Sequence, residues 1–435
     1  MTGRSARFVG PAQPSDAGGA PPTLSIEGAA QVLRPPGDGL SHLRGQELEA
    51  QTLDPGGLAA RDGLITALEP DPIAQVTVDA RGCAVIPGFV DCHTHVPFVG
   101  WRAQEYEQKR RGVPYEDIAR GGGGIRASAR ALRESADDEV RAQSVALASE
   151  MLSTGTTTFE CKSGYGLSRE AEMRALVLAR ELEIQVPQTT VSTALLAHAV
   201  PDGYSADEWM DVVQGMMPEV LSAGSVTALD IFVESIAFSN EHLATMGELA
   251  AAAGLALRCH VEQFGGYRSV PVALVAGARS VDHLSTLHRD DIPALAEAQC
   301  AAVLLPAAEF LGAEHRAPGR ELADAGALVV LASDLNPGTA PVTSMPLVMG
   351  LGARMYGLSV AEALAATTLN AAWVLGLDHD RGSIEVGKRA DLLLLDGPVE
   401  MIPYRFGHNP VAAAFVGGRP VYIRDEAAAA RLTWS

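Results

Sequence analysis

From Ala84 onward, short apolar runs alternate with longer helical patterns. The runs are AVIPGFVDCH, GTTTFEC, QVPQTTVSTALLAH, SVTALDIFVE, LALRCHVEQ, ARSVDHLS, AAVLLP and ALVVLASDLN. Continuous apolar runs of this length suit strands buried on both faces. Between most of them lie helical segments such as SADDEVRAQSVALASEMLSTG, with Ser135 as N-cap and Gly155 past its end, and SREAEMRALVLARELE. Alternation of strand and helix makes the strands parallel, and eight such units predict a closed (β/α)8 TIM barrel in the α/β class.

The two ends of the chain follow another rhythm. TLSIEGAAQVL, GLAARDGLITALEP and AQVTVDA read as strands or hairpins with Gly and Asp turns, and RPPGDGLSHLRG reads as a loop. After LSVAEALAATTLNAAWVLG, the stretches GSIEVGKRADLLLLDG and PVAAAFVGGRPVYI are again strand-like. The expected organisation is therefore a catalytic barrel over 85–384, flanked by a small β-sandwich built from both termini, 23–84 and 385–435. Residues 1–22 read as a disordered extension, without the apolar stretch of a signal peptide.

Charge narrows the class. A formal net charge of −20 and a pI near 4.9 argue against nucleic-acid partners and against an anionic membrane surface. No apolar run reaches the ~18 residues of a membrane span. Five scattered cysteines without a CxxC pair read as free thiols of a reducing cytoplasm.

The chemistry gathers at the ends of the predicted strands, where a parallel barrel builds its active site. The first run ends in His93 and His95, which alternation turns the same way. The fifth ends near His260, the sixth in Asp282 and His283, and the eighth in Asp334 and Asn336. Three histidines and one carboxylate, with a position left for water, suit a catalytic zinc or iron ion. Asp334 is placed to carry the proton of an attacking water, and His283 to polarise the attacked carbonyl or amidine. Hydrolysis of a C–N bond is the matching reaction class. Lys162, one of three lysines, raises a competing design in which a carboxylated lysine bridges two metals. The loop ARGGGG (119–124) lacks the Lys-Ser/Thr of a phosphate loop and reads as a lid segment or plain linker.

PGFVDCHTH and GSIEVGKRADLLLLD resemble the metal motif and C-terminal signature of the amidohydrolase superfamily. HTHVPFVGWRAQEYE, ECKSGYGLS, LLAHAVP, DIFVESIAFS, HVEQ, SVDHLS, SDLNPGT and YRFGHNPVAAAFVGGRPV, in order along the chain, are similar to one branch of it. Members of that branch open the lactam of 4-imidazolone-5-propanoate to N-formimidoyl-L-glutamate. The resemblance implies one Zn2+ or Fe2+/Fe3+ ion on His93, His95, His260 and Asp334. It implies Arg102, Tyr165, His198, Gln263, Asn336, Gly338 and Thr339 on the substrate, with Asp334, His283 and Gln263 as the catalytic set. A guanidinium fork on Arg102 suits a propanoate carboxylate, and Gly338 would let backbone N–H groups approach closely. The resemblance further implies a homodimer acting on a small molecule. Trp101 departs from the expected small or acidic residue beside Arg102 and bears on the side chain of the substrate, and within FVES Val233 and Ser235 stand where Cys and a different residue type are expected. The rivals are a related amidohydrolase acting on another cyclic amide or amidine, such as a formimidoylglutamate-type deiminase, and a metal-bearing scaffold without turnover.

Overall fold

The structure is a computed structural model that describes residues 20–113, 117–118, 121–265, 267–312 and 314–435. The expected disordered extension lies, up to residue 19, outside the described residues, as do Ala119 and Arg120 of the Gly-rich loop.

Each of the eight apolar runs contains a barrel strand. In chain order after the five strands of the N-terminal part, they are β6 (Phe89–Asp91), β7 (Thr156–Lys162), β8 (Thr189–Ala197), β9 (Val226–Val233), β10 (Ala256–Val261), β11 (Ser280–His283), β12 (Ala301–Leu304) and β13 (Leu328–Leu331). They hydrogen-bond in that order, every pair parallel. The crossovers are helical, as parallel pairing requires. Ser168 caps the helix Arg169–Glu183 by accepting from the Ala171 N–H, and Ser205 forms a capping box with Glu208. Ser135 does not serve as the expected N-cap. It closes the preceding helix Ile125–Glu134, and the next helix begins at Asp137, whose first turn carries Asp137, Asp138 and Glu139 against the helix dipole.

The seam between β6 and β13 is not a ladder. A single parallel bridge joins Thr94 to Leu335, the His95 N–H donates to the Leu335 carbonyl (2.9 Å), and the Asp334 N–H donates to the His93 carbonyl (3.0 Å). Below them the buried Asp91 accepts from the Ser333 N–H (3.0 Å) and hydroxyl (2.5 Å). Burial pushes the Asp91 carboxyl up to about 7. Closing the barrel thus brings the HTH segment and Asp334 side by side.

The flanking domain is one nine-stranded mixed sheet drawn from both termini. Its N-terminal strands are β1 (Leu24–Arg34), β2 (Thr52–Arg61), β3 (Leu64–Ala67), β4 (Val76–Asp79) and β5 (Ala84–Pro87). The C-terminal ones are β14 (Leu392–Leu395), β15 (Val411–Val416), β16 (Arg419–Ile423) and β17 (Leu432–Trp434). The long β1 pairs with β4 along its first residues and with β5 near its end, so the sheet forks there. Leu24, Val76, Val85, Leu392 and Phe415 from both arms share one apolar core. Asp62-Gly63 and Gly417-Gly418, all at positive φ, make the tight hairpin turns. GSIEVGK, expected as strand, is turn and irregular chain; of that stretch Leu392–Leu395 forms a strand, and Arg389 makes a single antiparallel bridge to Leu64.

The first run divides at Gly88. Ala84–Pro87 pairs in the flanking sheet, and Phe89–Asp91 starts the barrel. A Cβ on Gly88 would sit 2.0 Å from Thr157 Oγ1, so only glycine lets the chain pass from one sheet to the other here. Among the described residues no helix is long and apolar enough to cross a membrane.

Candidate active site

His93, His95, His260 and Asp334 converge at the mouth of the barrel. Asp334 Oδ1 lies 3.5 Å from His93 Nε2 and 3.3 Å from His95 Nε2, and His95 Nε2 lies 3.4 Å from His260 Nε2. All four side chains are buried, and His93 Nε2 has no hydrogen-bond partner. Lone pairs directed at one another across such gaps repel unless a cation sits among them. A tetrahedral ion with bonds of about 2.0–2.1 Å needs its ligand atoms about 3.4 Å apart, which these three separations match, and two sets of three groups lie close enough to share an ion, His93 with His95 and Asp334, and His93 with His260 and His283. Burial holds His93 and His95 well below the ordinary imidazole pKa, which keeps them neutral and able to ligate.

His283 stands beside this group, its ring 5.4 Å from that of His260 and 5.7 Å from that of His93. Burial lowers its pKa to about 3, and burial raises that of Asp334. Both residues hold positive φ, +83° at His283 and +55° at Asp334. Backbone strain of this kind persists where surrounding structure fixes it, and here it aims two side chains into one space.

A cleft opens above. Its walls include Arg102, Tyr165, His198, Gln263, Phe264 and Thr339. The His198 ring stacks on His95 (5.0 Å, 20°), and its Nδ1–H donates to the Gly164 carbonyl (3.0 Å). Nε2 of a neutral His198 is therefore an acceptor, and burial holds the ring well below its ordinary pKa. Tyr165 lies 5.8 Å from His95 and 5.3 Å from His198, ring to ring.

Arg102 enters from the segment after β6. Its Nη1 donates to Ser128 Oγ (3.3 Å), its Nε lies 3.4 Å from Glu105 Oε2, and its backbone N–H binds the Pro337 carbonyl (2.8 Å). The guanidinium lies flat on Gly338, where a Cβ would stand 1.6 Å from Nη2. Gly338 is thus small to make room for Arg102. Its N–H is not offered to a ligand but donates to Asn336 Oδ1 (2.9 Å). Asn336 works within the same loop. Its Oδ1 also accepts from the Thr339 N–H (2.7 Å), and its amide donates to the Asp334 carbonyl (2.7 Å) and to Thr339 Oγ1 (2.8 Å).

Trp101 does not line the cleft. It is 48% exposed and meets Phe98 edge-on at 5.2 Å, so it does not shape the space around the substrate. Lys162 lies beneath the metal position rather than in it. Its ammonium donates to Asp230 Oδ2 (2.7 Å) and ion-pairs with Glu160 Oε2 (2.8 Å). Burial and the nearby Arg258 lower its pKa, but Asp230, Glu160 and Asp282 outweigh them and raise it overall. A carboxylated lysine there would set a third anion against two.

Several working roles were not foreseen, among them that of Asp282, which the sequence placed at a strand end without one. Asp282 Oδ2 accepts from His93 Nδ1 (2.6 Å), and Asp230 Oδ1 accepts from His260 Nδ1 (3.0 Å). Glu172 accepts from the N–H groups of Gly164, Gly166 and Leu167, which shapes the loop bearing Tyr165. Glu234 does the same for Gln263, Phe264 and Gly265. The signal available was a lone charge inside an apolar strand run, as in ALDIFVE.

Comparison with known proteins identifies the family. Residues 84–421 match the amidohydrolase family. The chain is 42% identical over 411 residues to an imidazolonepropionase of Rubrobacter xylanophilus, covering 91% of this chain and 98% of that one. It is 40% identical over 377 residues to an imidazolonepropionase of Methylobacterium nodulans, covering 84% and 94%. Among solved structures, an adenosine deaminase of Xanthomonas campestris with bound zinc aligns with a TM-score of 0.64 at 18% identity, covering 92% of this chain and 93% of that one, a likeness of fold.

Proposed function

We propose that this chain, which belongs to the amidohydrolase family and within it to the imidazolonepropionases, hydrolyses the cyclic amide of 4-imidazolone-5-propanoate to N-formimidoyl-L-glutamate. The observation that carries the reading is a run of buried donor atoms, His93 to Asp334 (3.5 Å), Asp334 to His95 (3.3 Å) and His95 to His260 (3.4 Å), at the base of a cleft that Arg102 also enters. His93, His95, His260 and Asp334 would hold one zinc or iron ion. Such an ion, when bound, acidifies water and polarises the amide carbonyl.

The chain's own residues supply the rest. Asp334 takes the proton of the attacking water and passes it to the ring nitrogen as the C–N bond breaks, a role suited to a carboxyl raised by burial. His283, uncharged near neutral pH, donates an N–H toward the amide oxygen as it becomes an oxyanion. Arg102 receives the propanoate carboxylate. His198 Nε2 accepts a ring N–H, Tyr165 flanks the planar ring, and Gln263 and Thr339 close the remaining sides. Buried free cysteines at 83, 92, 161, 259 and 300 are in keeping with a reducing cytoplasm, and the branch resembled implies a homodimer, checked by light scattering.

The test is loss of the ultraviolet absorbance of 4-imidazolone-5-propanoate on mixing with purified chain. Turnover that stops on chelation and returns with Zn2+ or Fe2+ supports the reading. A metal-loaded chain that leaves this substrate unchanged overturns it and moves the reaction to another cyclic amide or amidine.

A further inference from the structure

A layer of five charged side chains lies directly under the metal position, each no more than 1% exposed: Glu160, Lys162, Asp230, Arg258 and Asp282. They come from four strands, β7 and, beyond β8, the consecutive β9, β10 and β11. Lys162 spans Asp230 (2.7 Å) and Glu160 (2.8 Å). Arg258 spans Glu160, which it contacts through Nη1, and Asp282, 2.8 Å from Nη2. It also donates to Ser280 Oγ (3.0 Å) and to the Cys92 carbonyl (2.6 Å). The outer two carboxylates are the ones that touch metal ligands, Asp282 through His93 Nδ1 and Asp230 through His260 Nδ1. A carboxylate can only accept, so each ring must donate from Nδ1 and leaves Nε2 as the bare donor atom.

We propose that Lys162 and Arg258 are positioning residues for the metal site: bridged by Glu160, they form a cationic floor that fixes Asp230 and Asp282, and through them the Nε2 direction of His260 and His93. The inference rests on reading His93, His95, His260 and Asp334 as the metal ligands. Two cations face three carboxylates here, with burial too complete for water to do the same work. Without Lys162, Asp230 keeps only His260 as a close partner and swings or rotates toward whatever polar group remains. The ring it orients follows, and the donor spacing that suits a small divalent ion is lost.

The experiment uses the full chain stripped of metal. Zn2+ affinity is measured by competition with a chromogenic chelator, the visible absorption of the Co2+-loaded chain reports ligand geometry, and thermal unfolding of the metal-free chain reports folding. The test variant is the double substitution Lys162→Met with Glu160→Gln, which removes one charge of each sign and leaves the net charge of the floor unchanged. The control is Lys388→Met with Glu385→Gln, another buried ion pair (3.0 Å) remote from the barrel mouth. The test variant should unfold as a cooperative protein and bind Zn2+ about 10- to 100-fold more weakly. Its Co2+ bands should shift, while the control binds both ions as the wild type does. Wild-type Zn2+ affinity and Co2+ bands in the test variant would overturn the proposal. Should it not fold, Lys162→Gln, a shorter neutral donor, takes its place and is judged by the same two outcomes. A wild-type chain that binds neither ion would instead overturn the metal-site reading on which the proposal rests.

Discussion

Gly338→Ala should damage substrate binding while leaving the fold intact. Gly338 is not at positive φ, so alanine can adopt its backbone conformation. The new methyl would stand 1.6 Å from Arg102 Nη2 and 2.2 Å from both Cζ and Nε. The guanidinium must retreat by about 2 Å to restore an ordinary contact near 3.5 Å. It is the free end of a long side chain, so the move costs little in stability, within about 1 kcal/mol. In doing so it leaves the place where it would meet a carboxylate. A hydrogen-bonded charge contact is worth about 1.5–3 kcal/mol, so KM should rise roughly 10- to 150-fold with a smaller change in kcat. The assay is steady-state loss of substrate absorbance for wild type, Gly338→Ala, Arg102→Ala and the double variant. If the methyl acts only by displacing Arg102, it has nothing left to displace in the Arg102→Ala background, and the double variant matches Arg102→Ala. Additive effects, or a wild-type KM in Gly338→Ala, would refute the argument.

Other outcomes follow from the same geometry. Arg102→Ala should raise KM more than it lowers kcat, because a carboxylate anchor binds ground and transition states alike; equal KM values would remove Arg102 from the pocket. His93→Ala should lose turnover together with bound metal, measured by elemental analysis of the purified chain. Asp334→Asn should lower kcat by at least about 10²-fold through loss of the proton carrier, and wild-type rates in either variant would sink the site assignment. Gly164→Ala places a methyl 2.9 Å from both His198 Nδ1 and the Leu195 carbonyl at a φ of +111°. It should lose about 1–3 kcal/mol in urea unfolding, along with activity, and unchanged stability would show that the loop can relax.

The barrel was legible because its strands are buried on both faces. A strand with no solvent-facing side reads as an unbroken apolar run, so the eight runs needed no alternation to be seen. The candidate metal ligands were legible because they interrupt those runs at one end only. Boundaries were less visible. AVIPGFVD reads as one strand, and nothing in its pattern of residues says that Gly88 divides it between two sheets. That follows from Thr157 of the neighbouring strand occupying the space of a Cβ. The Gly-Ser-Ile-Glu-Val stretch carries strand residues but turns instead, and only past its end does the backbone meet a strand, where the Gly387 N–H donates to the Ile65 carbonyl and the Lys388 carbonyl accepts from the Ile65 N–H, both at 2.8 Å.

The supporting layer shows where such reading stops and why. Glu160 and Lys162 in TTTFECK, Asp230 in ALDIFVE and Arg258 in LALRCH are charges inside apolar strands, and a buried charge must be paired. The need for partners is therefore written in each strand, but the identity of the partner is not. Pairing depends on register, which sets Arg258 opposite Ser280 and His260 opposite Asp282 across β10 and β11, and opposite Asp230 and Phe232 across β9 and β10. A shift of one residue would turn every one of these side chains to the outer face. The register is held by apolar neighbours such as Leu257, Cys259 and Val261, which pack on the helices outside the barrel. The orientation of the metal histidines thus traces back to apolar residues that touch neither metal nor substrate, and a local reading of HTH or HVEQ has no access to them.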